Sequence, residues 1–137
     1  MIKSIDQQLY DEIFVVAQQN QSGADVYSTL PDLKAEYPFI VIGEVQIVPR
    51  QIKGLTLGKL FATVDVWGDA YDRRKVSDIS EELMELLSDH LKLETRYVKL
   101  VVSNSTKRIL EDTTLSTADS RTTLWHGILS LEFDILI

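Results

Sequence analysis

The chain has 137 residues, 45% of them hydrophobic and 26% charged, a length suited to one domain with a substantial buried core. Fourteen Lys and Arg against twenty-one Asp and Glu leave a net charge of −7, which disfavours wrapping duplex DNA, where phosphate neutralisation dominates affinity. The absence of cysteine excludes disulfides, thiolate metal sites and a thiol nucleophile.

Met1-Ile2-Lys3-Ser4-Ile5-Asp6-Gln7 lacks the apolar run and small-residue cleavage site of a secretory signal. The longest uncharged stretch lies between Glu12 and Asp25 and is full of Gln and Asn, so no bilayer span and no membrane partner are expected. The composition predicts a soluble, intracellular, single domain over residues 1–137.

Ser4, with Gln7 three residues on, has the form of a capping box. Ile5, Leu9, Ile13, Val16 and Ala17 then share one helical stripe, which predicts a first helix running to about Gln19. Asn20-Gln21-Ser22-Gly23 follows as its left-handed cap. Beyond a connector with Tyr27, Pro31 and Pro38, Phe39 to Val48 is dense in branched and aromatic residues and predicts a strand closed by Pro49. Leu60 to Trp67 alternates, with Leu60, Ala62, Val64 and Val66 on one face and Phe61, Thr63, Asp65 and Trp67 on the other. Arg50 to Lys59, between these strands, exceeds the roughly two to five residues usual in a hairpin tip, which predicts an extended, exposed arm.

Gly68-Asp69 breaks the second strand, and Asp69 or Asp72 can cap the next element. Val76, Ile79, Leu83, Leu86, Leu87 and His90 or Leu91 recur at helical spacing, predicting a second helix to about residue 91. Ser77, Asp78, Glu81, Glu82, Glu85 and Asp89 occupy mostly its other faces. Tyr97 to Ser103 predicts a third strand, and the alternation of Trp125 to Ile137 a fourth with one face in the core. The Ser- and Thr-rich stretch 103–123 reads equally as a prolonged hairpin or a loop, with Ile109 and Leu110 as its apolar anchors.

This order predicts an α+β fold: a four-stranded antiparallel sheet (α-β-β-α-β-β), both helices on one face, and a long arm on the first hairpin. Two helices cannot cover both faces. Phe61 and Trp67 on the other are therefore expected to lie exposed and mark an interface.

Chemistry is sparse. Gly54-Leu55-Thr56-Leu57-Gly58-Lys59-Leu60 resembles a phosphate loop, but it is one residue short, lacks the hydroxyl that would hold magnesium and precedes a strand. His90 is expected near the C-terminus of the second helix, and His126 near the sheet edge, with no partner at metal-ligand spacing. Glu81, Glu85 and Asp89 line a solvated helix face, and helix capping explains at least one of Asp65, Asp69 and Asp72. No catalytic residue, metal site or cofactor is predicted.

Charge is unevenly placed. Val45–Val64 contains Arg50, Lys53 and Lys59 and no acid; Thr95–Leu110 contains Arg96, Lys99, Lys107 and Arg108 and no acid. Much of the acid falls on the second helix; opposite signs on different faces suit head-to-tail pairing of identical chains, and a mixed surface in which two windows happen to lack acid reads equally well. Arg50, Lys53, Lys59, Phe61 and Trp67 are thus the candidate contact residues. Nucleic-acid binding by the basic hairpins would want interleaved exposed aromatics, and only Phe61, Trp67 and Tyr97 are at hand.

Four segments together resemble a known family: Tyr37-Pro38-Phe39-Ile40-Val41-Ile42-Gly43-Glu44, Val64-Asp65-Val66-Trp67, Arg73-Arg74-Lys75-Val76-Ser77-Asp78-Ile79 and Trp125-His126-Gly127-Ile128-Leu129-Ser130-Leu131-Glu132-Phe133. Across roughly residues 5–137 the succession resembles the tail-completion proteins of long-tailed bacteriophages, the head–tail joining or tail-terminator group. The resemblance implies a structural virion protein without enzymatic activity, in a small α/β sandwich. Such proteins form a ring, commonly of six, that caps the head-proximal end of a siphophage tail tube and docks on the head connector. Its partners would be its own copies, the major tail tube protein and the connector or stopper protein. DNA would pass through the lumen without specific binding. The implied location is the head–tail interface of the virion, assembled in the bacterial cytoplasm. Another neck or minor tail component, or a non-viral adaptor domain, are the alternatives.

Overall fold

The computed structural model describes residues 2–32, 34–113 and 123–136. In chain order the elements are α1 (Ile5–Ala17), β1 (Asp25–Tyr27), β2 (Phe39–Ile52), β3 (Leu55–Gly68), α2 (Arg73–Leu87), β4 (His90–Lys92), β5 (Tyr97–Leu100), β6 (Thr106–Asp112) and β7 (Leu124–Leu136). A single 3-10 turn at Val102–Asn104 joins β5 to β6. The sheet runs β1-β2-β3-β7-β5-β4, and β6 pairs β7 alongside Leu124–Ser130 while β5 pairs it alongside Phe133–Leu136. β1 pairs β2 in parallel and every other pairing is antiparallel. The sheet is therefore seven-stranded and mixed, not the four-stranded antiparallel one expected. β1 and β4, at three residues each, are too short to show a period, and β6 lies inside the Ser- and Thr-rich stretch. The remainder of that stretch, 114–122, lies outside the described residues.

Both helices lie on one face, as the apolar stripes require. Leu9, Ile13 and Val16 of α1 and Val76, Ile79, Leu83 and Leu87 of α2 meet Ile40, Leu60, Val64, Leu129, Leu131 and Phe133 of the sheet in one core.

The helix ends differ from expectation. Ser4 makes no side-chain cap bond, and the Gln7 amide donates to Asp11 at 2.9 Å. It is Gln8, buried, that ties down the N-terminus: its amide donates to the Lys3 carbonyl at 2.8 Å, and its carbonyl accepts the Thr95 N–H at 3.1 Å. After α1, Asn20 holds the turn by donating to the Ala17 and Ala24 carbonyls and accepting the Ala24 N–H, with Gly23 at φ 75°. α2 stops at Leu87, not residue 91, and His90 opens β4, exposed and opposite Lys99. Asp72 takes the N-cap position of α2 but accepts the Asp69 N–H at 3.0 Å instead of a helix donor.

Pro49 does not close β2. Lys53 and Gly54 both have positive φ, at 50° and 81°, which is the two-residue turn matched to a twisted hairpin. Such a turn makes Ile52 and Leu55 a hydrogen-bonded pair, and alternation then places Pro49, opposite Gly58, at a non-hydrogen-bonded position. Its missing N–H faces the outer edge of the sheet, where proline is tolerated.

Where α2 crosses β7 the packing is close. Ser80 sits against Gly127 with its residue fully buried, and its hydroxyl has no hydrogen-bond partner among the described residues. A buried unpaired hydroxyl is a cost, and Ala is the better helix former. Ser80→Ala is expected to raise stability by about 1 kcal/mol, read as a higher urea midpoint with unchanged m-value.

Candidate interaction surface

The sheet's second face is covered at one end only. There Phe39, Val41, Trp67 and Leu124 are buried together, with Tyr27, Ala35 and Tyr37 packed over them. Trp67 is 5% exposed, so it does not present the expected aromatic surface: the segment between β1 and β2 folds across it. The Trp67 ring stacks on His126, with centroids 3.8 Å apart and planes 14° apart. His126 is not at a sheet edge either. β7 lies between β3 and β6, and the imidazole bridges two carboxylates, Nε2 at 2.7 Å from Asp65 and Nδ1 at 3.0 Å from Asp112. Burial opposes the charged ring and is the largest single influence, yet the hydrogen bonds to Asp65 and Asp112 and their charges together outweigh it, and the pKa is raised above 6.5. Among the described residues no group of His, Asp and Glu gathers to hold a metal; the two carboxylates meet different nitrogens of one ring.

Further along the same face, Val48, Lys59, Asp134 and Lys99 form a row across four strands. Lys59 bonds Asp134 at 2.9 Å and Glu132 at 3.0 Å. Its pKa is raised by those hydrogen bonds, Asp134 first, and that of Glu132 is lowered by the Asn104 amide and by Lys59. Lys59 is thus neutralised within the chain and braces the base of the arm. Phe61, opposite Glu132 and Gln46, stays half-buried.

Beyond Lys59, β3 has no partner in β7, so β2 and β3 project as a two-stranded arm to Lys53-Gly54. The arm expected from sequence is present, but as continuous strand and not as loop. Its outer edge is open, since β1 covers β2 only at Phe39–Val41. Along it Val48 and Ile52 are 48% and 39% exposed, and Arg50 and Lys53 are exposed with no ion-pair partner among the described residues. A groove of about 430 Å³ at the arm's base is lined by Val48, Pro49, Arg50, Leu57, Ile135 and Leu136 among others. In the second basic window Arg96 donates to the Leu136 carbonyl and Lys107 pairs with Glu81, leaving Lys99 and Arg108 on the exposed surface. The acids Asp78, Glu81, Glu82 and Glu85 lie along α2, where Glu82 accepts the Gln21 N–H.

No helix among the described residues is long and apolar enough to cross a membrane. Asp65, Asp112, Lys59, Glu132 and Asp134 of this face are engaged within the chain, while the arm offers a strand edge, exposed apolar side chains and the cations Arg50 and Lys53. Those are the features of an assembly component, a protein that works through contacts with other chains. Residues 15–127 match the family model of the tail completion protein gp17, and the chain belongs to that family of structural proteins of bacteriophage virions. The four segments that carried the resemblance fall in β2 with its lead-in, β3, α2 and β7. Among solved structures, a chain from the virion of a native gene transfer agent particle shares the fold, with a TM-score of 0.72 over 98% of each chain at 12% identity. No curated protein matches.

Proposed function

We propose that this chain, working as one domain, caps the head-proximal end of a siphophage tail tube and joins the tail to the head connector as a ring of identical subunits. The observation that carries this reading is the arm. An open strand edge with exposed apolar side chains invites pairing with another chain, and the two cations near its tip suit an acidic surface such as the one along α2 of a neighbour. A contact between unlike surfaces of identical chains is head-to-tail, and it closes into a ring when the rotation allows. In this reading Arg50, Lys53 and Phe61 touch the neighbour or the tail tube, Lys59 holds the arm's base, and Trp67 supports the surface from within. Six chains of −7 each carry a formal −42, and a lumen of that sign lets DNA pass from connector to tube without strong phosphate contacts. The ring would sit at the head–tail interface of the virion, after assembly in the host cytoplasm.

Reversing Arg50 and Lys53 together to Glu tests the contact while leaving the Lys59 bridges in place. Native mass spectrometry is expected to show loss of the ring, and complementation to show loss of tail joining; an unchanged ring mass with normal joining overturns the assignment. Particles lacking the protein are expected to give separate filled heads and overlong or unjoined tails by electron microscopy. Joined particles with a different defect would move the chain to another neck or minor tail position.

A further inference from the structure

An open strand edge is a template for its own copies as well as for other chains. From Val45 to Ile52 the β2–β3 register runs without interruption to the closing pair Ile52–Leu55, so Val45, Ile47, Pro49 and Gln51 turn their backbone groups outward. β1 occupies that edge only at Phe39–Val41, and a bulge between Ile42 and Val45 separates it from the open run. Pro49 stands in the middle of that run without an N–H. We propose that Pro49 sets the symmetry of assembly: it bars two arms from zipping edge to edge about a two-fold axis, and so keeps the arm for the head-to-tail contact. This inference rests on the reading of the arm as the assembling element.

Register carries the argument. In an antiparallel pair, outward residues meet as couples that exchange two N–H···O bonds. A two-fold axis sets residue i of one chain against j of the other, and j against i. Every such register that engages at least three of Val45, Ile47, Pro49 and Gln51 engages Pro49 from both chains. Two donors are then missing, and two carbonyls give up water without gaining a bond. Registers that avoid Pro49 engage at most two positions, Val45 and Ile47, directly beside the bulge. Arg50 and Lys53, exposed on the same short run, add like charge when two arms approach. Contact with an acidic surface through Val48, Arg50, Ile52 and Lys53 is made by side chains and asks nothing of the Pro49 nitrogen.

Pro49→Thr supplies the missing donor on a residue type at home in strands. Pro49 is exposed, so the change leaves the core alone. Sedimentation of the full chain over a range of concentrations is expected to show species of twice the wild-type mass. They should form at about thirtyfold lower concentration than in the wild type, because each pairing recovers two hydrogen bonds. In those species the new amide at position 49 is expected to be protected from hydrogen exchange. Pro49→Ala carries the same donor and decides the matter if Pro49→Thr does not fold. Sedimentation identical to wild type, or association in which the amide at position 49 exchanges freely, overturns the assignment. Either failure leaves the arm's part in the ring standing, because reversal of Arg50 and Lys53 tests that separately.

Discussion

Gly127→Val is expected to lower the unfolding free energy by about 3 kcal/mol. A β-carbon on Gly127 would stand 2.6 Å from Ser80 Oγ, 2.9 Å from Val76 Cγ1 and 3.3 Å from Ile109 Cδ1. The last can turn aside, but Val76 is branched and helix-bound, with one rotamer strongly preferred. The alternative is to lift α2 off β7, which would open the core around Leu83 and Leu129. Urea unfolding at constant m-value measures the loss. Ser80→Gly in the same background removes one clashing side chain and is expected to recover about 1 kcal/mol net of its helix penalty; no recovery would show that the strain lies with Val76 alone.

The same contact shows which parts of the molecule can be read from sequence. Leu9, Ile13 and Val16, and Val76, Ile79, Leu83 and Leu87, declare their helices because periodicity is local and the face it marks is the face that is buried. The alternation of β3 and β7 is as plain. Pro49 misled for a physical reason: whether a proline breaks a strand depends on which way its nitrogen points, and that follows from the turn at Lys53-Gly54 and not from Pro49 itself. β6 was obscured because Lys107, Ile109 and Glu111 on one face and Thr106, Arg108, Leu110 and Asp112 on the other mix polarity on both. Nor does any local pattern bring together His126, Asp65 and Asp112, since their neighbourhood is a product of register across three strands. Trp67 looked like an exposed aromatic because the residues that cover it come from an irregular segment without a period of its own. What did survive from sequence to family was the set of strand and helix segments that build the core, whose side chains have little freedom to change.

Shortening the arm by one register step should separate folding from assembly. Removing Gln51, Ile52, Leu55 and Thr56 leaves Arg50-Lys53-Gly54-Leu57, in which Arg50 and Leu57, already opposite one another, become the closing pair. Because two residues leave each strand, every remaining side chain keeps its face and the two-residue turn keeps its hydrogen-bonded closure. All four positions lie beyond the end of the β3–β7 ladder at Lys59–Asp134, and Gln51 and Ile52 are exposed. Stability is therefore expected to change by less than about 0.5 kcal/mol, while the exposed Ile52, two residues of open edge and the reach of Lys53 are lost together. Ring formation is expected to fail at protein concentrations where the full-length arm assembles, with the monomer retaining its urea midpoint. A shortened chain that still closes rings of the original mass would place the subunit contact elsewhere on the sheet; a chain that unfolds would mean that the arm braces the core through Lys59, Glu132 and Asp134 more strongly than those partly exposed bridges imply. The two failures differ in readout, because mass spectrometry sees the first and the unfolding midpoint sees the second.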